Sequence, residues 1–144
     1  MNVEGSFKIT ASRQAVWNAL QDPQVLAQCL PGCEELTPSG TDAYAARLRV
    51  GIAAVKGHYQ GRVAIHDKVP PERYRMTVEG KGKPGFLKGE GTIELSEQAG
   101  ETTIAYRGTI QVGGLIAGVG QRLVHGAARM VLNNFFKTLA EQFD

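Results

Sequence analysis

Two cysteines in 144 residues are too few for a disulfide framework. Three histidines with no matching ligand cluster leave a zinc centre short of the about four ligands it needs, so no metal is expected. Charge is scarce and balanced, 16 Lys and Arg against 14 Asp and Glu, with no basic run. A net charge of +2 gives no field of the kind that attracts nucleic acid. Long apolar runs are missing too. The most weakly charged stretch, "IQVGGLIAGVGQRLV", falls well short of the ~20 apolar residues of a spanning helix. The opening "MNVEGSFKIT" has neither the basic start nor the apolar core of a signal peptide. The expectation is a cytoplasmic protein, one domain over 1–144, with peripheral contact at the inner face of the membrane left open.

Glycine is what the chain has in quantity, 18 residues in all. "GKGKPG" satisfies G-x-G-x-x-G through Gly80, Gly82 and Gly85, but Pro84 and Gly85 lead into another alternating run, not into a helix that would meet a pyrophosphate. Gly113 and Gly118 have the spacing of a P-loop, yet no Lys-Ser or Lys-Thr pair follows them. Neither stretch reads as a phosphate site. No G-x-S-x-G elbow is present, and no carboxylate pair points inward, so no catalytic residue is assigned. Cys29 reads as a small buried thiol and Cys33 as a thiol at the edge of the Pro31-Gly32 turn.

The hydrophobic period supplies the architecture. "VEGSFKI" alternates as a half-buried strand, and Ser12 and Asp22 can cap two short helices, the second with Pro23 in its first turn. From residue 34 to about 112 the period is two. Tyr44, Leu48, Tyr59, Val63, Tyr74 and Met76 fall on one face, opposite Arg47, Arg62, His66 and Arg75. "TPSGTD", "VPPE", "GKGKPG" and "EQAGE" break the runs. Strands this close leave no room for parallel crossovers. The last segment turns helical, with 116, 119, 123, 127 and 130 and then 132, 135, 139 and 143 apolar. A helix over 118–143 would be about 39 Å long. The predicted class is α+β: a curved seven-stranded antiparallel sheet wrapped around a long C-terminal helix, with two short helices after the first strand.

Gly61, Gly89, Gly91 and Gly108 replace large side chains on the inward face. Either the sheet curls tightly onto the helix or a cavity remains between them; both can hold. Cavity-lining candidates are Trp17, the four tyrosines including Tyr106, Leu48, Val63, Met76 and Phe86, with Gly89, Gly91 and Gly108. Leu123 and Met130 are added from the helix. Such a lining suits an apolar or aromatic ligand. Pro31, Gly32, Gly82 and Gly85, together with Phe86, Leu87, Gly114 and Gly118, are candidates for the cavity mouth or a partner loop. Gly118 is expected in the first turns of the helix, where its weak helix propensity either accompanies close packing against the sheet or lets the cavity mouth open. An enzymatic alternative would use a cavity tyrosine with Arg47, Arg62, Arg75 or His66.

"AVWNALQDPQVLAQCLPGCEEL", "VKGHYQGRVAI", "VEGKGKPGFLKGEGTIEL" and "TIAYRGTIQVGGLIAGVGQRLV", in that order, resemble the G-subunit family of carbon monoxide dehydrogenase. That family lies within the START-like, polyketide-cyclase-like (SRPBCC) helix-grip group. The resemblance implies a helix-grip fold around a hydrophobic cavity. It also implies a non-catalytic accessory role in maturing a molybdenum-containing carbon monoxide dehydrogenase or related hydroxylase, or in recruiting it to a membrane. It implies no fixed cofactor and a bound molecule such as a lipid or a quinone-like compound. Molybdenum hydroxylase subunits are the implied protein partners. The alternative within the same resemblance is a recruitment factor that holds no ligand.

Overall fold

The computed structural model describes residues 1–144. Strand β1 (Asn2–Ile9) leads into helices α1 (Arg13–Gln21) and α2 (Pro23–Cys29). Six strands follow: β2 (Cys33–Gly40), β3 (Ala43–Val50), β4 (Gly57–Val69), β5 (Arg73–Gly82), β6 (Gly85–Gln98) and β7 (Glu101–Gly113). Helix α3 (Gln121–Glu141) ends the chain, and 3-10 turns occupy Ala53–Val55 and Gly114–Val119. The strands form one antiparallel sheet in the order β1-β7-β6-β5-β4-β3-β2. Each neighbour except β1 is joined by a hairpin or a short loop, as the close spacing of the alternating runs requires.

Local chemistry fixes the helix pair. Ser12 Oγ accepts from the Ala15 amide at 3.2 Å, and Asp22 Oδ1 accepts from the Gln24 amide at 2.9 Å. Strand β2 runs through Pro38 to Gly40, where a loop is expected from "TPSGTD". It is an edge strand, so the missing proline amide breaks no inner ladder.

The alternation places side chains as expected. Ile65, Tyr74, Ile93, Leu95 and Ile104 turn to the concave face, where they pack with Val16, Trp17 and Leu20 of α1 and with Phe136 and Leu139 of α3. Phe136 stacks on Phe7 at 6.0 Å and on Tyr106 at 5.3 Å between ring centroids. Trp17 meets Tyr74 edge-on at 5.5 Å. This core occupies one end of the sheet, a closed end marked by the turns at 41–42, 70–72 and 99–100.

The helical joint differs from expectation. Residues 114–119 form a 3-10 turn, Gly120 takes φ +97°, and the α-helix starts only at Gln121. Twenty-one residues make α3 about 32 Å long, not 39 Å. Gly118 lies outside the helix, and a Cβ built on it meets nothing within 4 Å. Close packing at Gly118, one of its two expected roles, is therefore absent. The 3-10 turn also resets the helical phase. Val124 and Ala127 face the sheet, while Leu123 is 58% and Met130 52% exposed. Both point away from the interior that the helical spacing assigns them to line.

Candidate functional site: an apolar trough at one end of the sheet

At the end opposite the core, the concave face is not filled. Tyr44, Leu48, Val63, Val78, Leu87 and Ile110 share the inward face of β3 to β7 yet remain half-buried. Helix α3 spans the gap without closing on them. Its principal backbone neighbours are α2, β1 and the two 3-10 turns. The helix contributes Val124 and Ala127, buried, and Ala128 and Val131, half-buried. The result is an apolar trough floored by the sheet and roofed by the first half of α3. Beside β7 lies a cavity of about 320 Å³ lined by Met1, Ile110, Gln111, Val112, Ala117, Gln121 and Val124.

The glycines have several roles. Gly91 and Gly108 face each other across β6 and β7. A Cβ on Gly91 would come within 2.8 Å of the Arg107 carbonyl oxygen, and one on Gly108 would strike the Glu90 carbonyl. These two are spent on curling the sheet, because neighbouring backbone, not empty space, lies where a side chain would go. A Cβ on Gly89 would meet Val78 Cγ2 at 3.0 Å, so Val78 already fills that place. Gly61 and Gly80 differ, with nearest neighbours at 3.4 and 3.6 Å, which is ordinary contact.

The joint between β7 and α3 is built on backbone contact. Gly85 at φ +141° packs against the Gly113 carbonyl and Ile116, and Gly114 at φ +77° lies over Gly85. The Ile116 amide donates to the Pro84 carbonyl at 2.8 Å. A Cβ on Gly82 would strike the His58 carbonyl, which ties the β5–β6 hairpin to the start of β4. Nearby, Gly32 at φ +73° sits against the Arg49 carbonyl, and the Arg49 amide donates to the Gly32 carbonyl at 2.8 Å. Pro31, Gly32, Gly82, Gly85 and Gly114 are thus gathered at the open end.

The remaining candidates divide. Trp17 and Tyr74 belong to the packed core, 5% and 3% exposed, so they do not line the open trough. Burial raises the Tyr74 phenol well above the usual tyrosine range. Tyr59 is 8% exposed; its hydroxyl donates to the Val55 carbonyl at 2.6 Å and so pins the first 3-10 turn. Burial raises its pKa as well. Tyr106 lies over Gly5, and Met76 packs on the rim of the core. Phe86 is placed by the register on the convex face, over Gly113 and 48% exposed, whereas Leu87 points inward. Phe86, expected either in the cavity or at the partner loop, thus lies outside the concave interior, and Leu87, expected at the mouth or partner loop, turns to the concave face.

Charged candidates lie on the convex side. Arg47 pairs with Glu35 at 2.7 Å and Arg75 with Asp67 at 3.1 Å. His66 Nε2 is 3.1 Å from Thr77 Oγ1. An open groove of about 910 Å³ on that face is bordered by Arg47, Gln60, Arg62, Glu79, Lys81 and Lys88 together with Ala45, Ala46, Phe86 and Leu87. Cys29 is buried, and desolvation, with the Glu141 charge second, pushes its thiol up to about 11. Desolvation also raises Cys33, which is half-buried. Both thiols therefore stay protonated and weakly nucleophilic near neutral pH.

Known proteins share this fold. The family model for the G subunit of carbon monoxide dehydrogenase (CoxG) matches residues 5–143. A conserved protein from Geobacillus kaustophilus is 38% identical, with a TM-score of 0.96 over 99% of this chain and 94% of that one. A START superfamily protein from Mycobacterium smegmatis superposes with a TM-score of 0.74 at 13% identity, over 98% of this chain and 95% of that one. Protein CV1439 from Chromobacterium violaceum gives 0.73 at 18% identity, over 99% and 96%. At such identities the last two establish the START-like fold alone. No curated protein matches the sequence significantly.

Proposed function

The chain belongs to the CoxG family, named for the G subunit of carbon monoxide dehydrogenase, and from that premise we propose that it binds an apolar small molecule as a non-catalytic accessory protein. The supporting observation is the trough itself: inward-facing Leu48, Val63, Val78, Leu87 and Ile110 are only half-buried beneath α3. Apolar surface in this position is stabilised by any apolar body that displaces its water. The ligand class is a lipid or quinone-like molecule, and the client is a molybdenum-containing carbon monoxide dehydrogenase or a related hydroxylase. Binding rather than catalysis is supported by Arg47, Arg62, Arg75 and His66, which all project from the convex face, away from the trough.

The test is chemical. Protein purified without detergent is extracted with organic solvent and examined by native mass spectrometry. The depleted protein is then titrated with a short-chain quinone and with a fluorescent fatty acid. Val78→Trp, which fills the trough floor, is expected to remain folded and to lose uptake of whichever probe binds. If nothing co-purifies and neither probe binds the wild type, the proposal fails.

A further inference from the structure

The sheet is open, with β1 at one edge and β2 at the other. An edge strand offers free amides and carbonyls to any further strand, and folded proteins guard it with proline, bulges or a covering element. β2 is guarded in this way. Pro38 lies within it, its register on β3 shifts at Cys33/Glu35 and at Pro38/Gly40, and α2 packs beside it. β1 has none of these guards. It contains no proline, and its register on β7 runs unbroken from Asn2 opposite Thr109 to Ile9 opposite Thr102. Met1 and Ile110 exchange both of their backbone bonds, at 2.7 and 2.8 Å. Alternation along an antiparallel ladder then aims the amides and carbonyls of Val3, Gly5, Phe7 and Ile9 at β7. Those of Asn2, Glu4, Ser6 and Lys8 point off the free edge, and no backbone bond outside the sheet ladder uses them. The side chains of these four residues are all exposed. Helix α3 meets β1 from the concave side, where Phe136 stacks on Phe7.

We propose that β1 is the seam of a symmetric homodimer, pairing antiparallel with β1 of a second copy about a two-fold axis at Ser6. A two-fold seam matches every residue to a partner across one centre, and the charges select that centre. Centring on Glu4 or on Lys8 sets like charges directly opposite each other, which destabilises a ladder. Centring on Gly5 or on Phe7 sets Ser6 opposite Glu4 or Lys8 and pairs no charges. Centring on Ser6 sets Glu4 opposite Lys8 of the second copy, twice by symmetry. On the other face the same register sets Val3 against Ile9 and Gly5 against Phe7. Charges within each copy extend the pattern. Glu4 stands opposite Arg107 in the β1–β7 register, and Lys8 lies 4.0 Å from Glu101. Across the seam the convex face therefore alternates in sign, from Arg107 and Glu4 on one copy to Lys8 and Glu101 on the other. An edge lysine ordinarily discourages a further strand; here the facing position on a second copy holds a glutamate. The pairing joins two seven-stranded sheets into one and does not depend on whether the trough holds a ligand.

Sedimentation equilibrium of the full chain over about 1–500 μM tests the inference. A concentration-dependent dimer is expected for the wild type. Glu4→Lys and Lys8→Glu each set like charges across the seam twice, and each is expected to weaken the dimer by about tenfold or more. An equimolar mixture of these two variants brings opposite charges together again at both positions, so a heterodimer close to wild-type strength is expected. Ser6→Pro removes an outward amide that β7 does not use, and it too should weaken the dimer by about tenfold or more. Glu34→Lys, exposed on the β2 edge, should leave association unchanged. Thermal melts establish that each variant is folded; Glu4 and Lys8 are exposed, so the charge variants carry the test even if Ser6→Pro melts early. A wild type that stays monomeric, or a dimer that survives both charge variants, would overturn the inference. So would a mixture of the two that stays monomeric, because the Glu4–Lys8 register requires its recovery. A dimer lost in Glu34→Lys would move the contact to β2 and overturn it as well.

Discussion

Glycines that look alike along a strand differ in what a methyl group would meet. At Gly108 the added carbon runs into the Glu90 carbonyl, and at Gly91 it comes within 2.8 Å of the Arg107 carbonyl. Neither oxygen can retreat without distorting the β6–β7 ladder. At Gly80 the nearest atom is Leu87 Cδ2 at 3.6 Å, which is normal contact. Gly108→Ala is therefore expected to cost about 1–3 kcal/mol, the range for overpacking a close-fitting interior. Gly80→Ala should shift stability by less than about 1 kcal/mol, because its strand backbone accepts alanine and the unfolded chain loses freedom. Urea denaturation of the two variants decides this; equal losses would mean that sheet curvature does not rest on the Gly91–Gly108 contact.

Elements show where the sequence could be followed and where it could not. Strands β3 to β7 were legible because a period of two fixes the face of every residue, and the faces of Tyr44, Val63, Val78 and Ile110 all agree with the pattern. The inward placement of Leu48 and Val63 followed from that parity. Strand β2 left almost no trace, since most of its residues are exposed and Pro38 tends to signal a loop. The start of α3 misled for a different reason. Ile116, Val119 and Leu123 fit a helical spacing, but a 3-10 turn advances by a different angle, and the break at Gly120 resets the phase. Side-chain periodicity carries no mark of that break; only the glycine density hinted at it. Gly120 adopts φ +97° and ψ 145°, which side-chain-bearing residues avoid, whereas Gly118 faces open space without such a constraint. Gly120→Ala should thus lower stability by about 1–3 kcal/mol, and Gly118→Ala should not lower it. Thermal melts that rank these two the other way round would mean that the backbone constraint lies at Gly118 and not at Gly120.

At the scale of the whole molecule, packing is unequal between the two ends of one sheet. Phe136 and Leu139, 3% and 0% exposed, seal the closed end against Phe7, Tyr106 and Ile104, while Val78 and Leu87 at the open end stay half-wet. Truncation should therefore cost unequally. Phe136→Ala is expected to lose about 3–5 kcal/mol, because it removes a ring that stacks on two others. Val78→Ala should lose about 1 kcal/mol in ligand-depleted protein, less than a fully buried core residue, since part of its surface stays in water. An apolar ligand changes the second number and not the first. At a free concentration a hundredfold above its dissociation constant it stabilises the wild type by about 2.7 kcal/mol, and Val78→Trp should abolish that gain by occupying the space. Denaturant curves with and without the bound probe measure all three quantities. If Val78→Ala costs as much as Phe136→Ala in depleted protein, the open end closes in solution, and no trough remains for a ligand to fill.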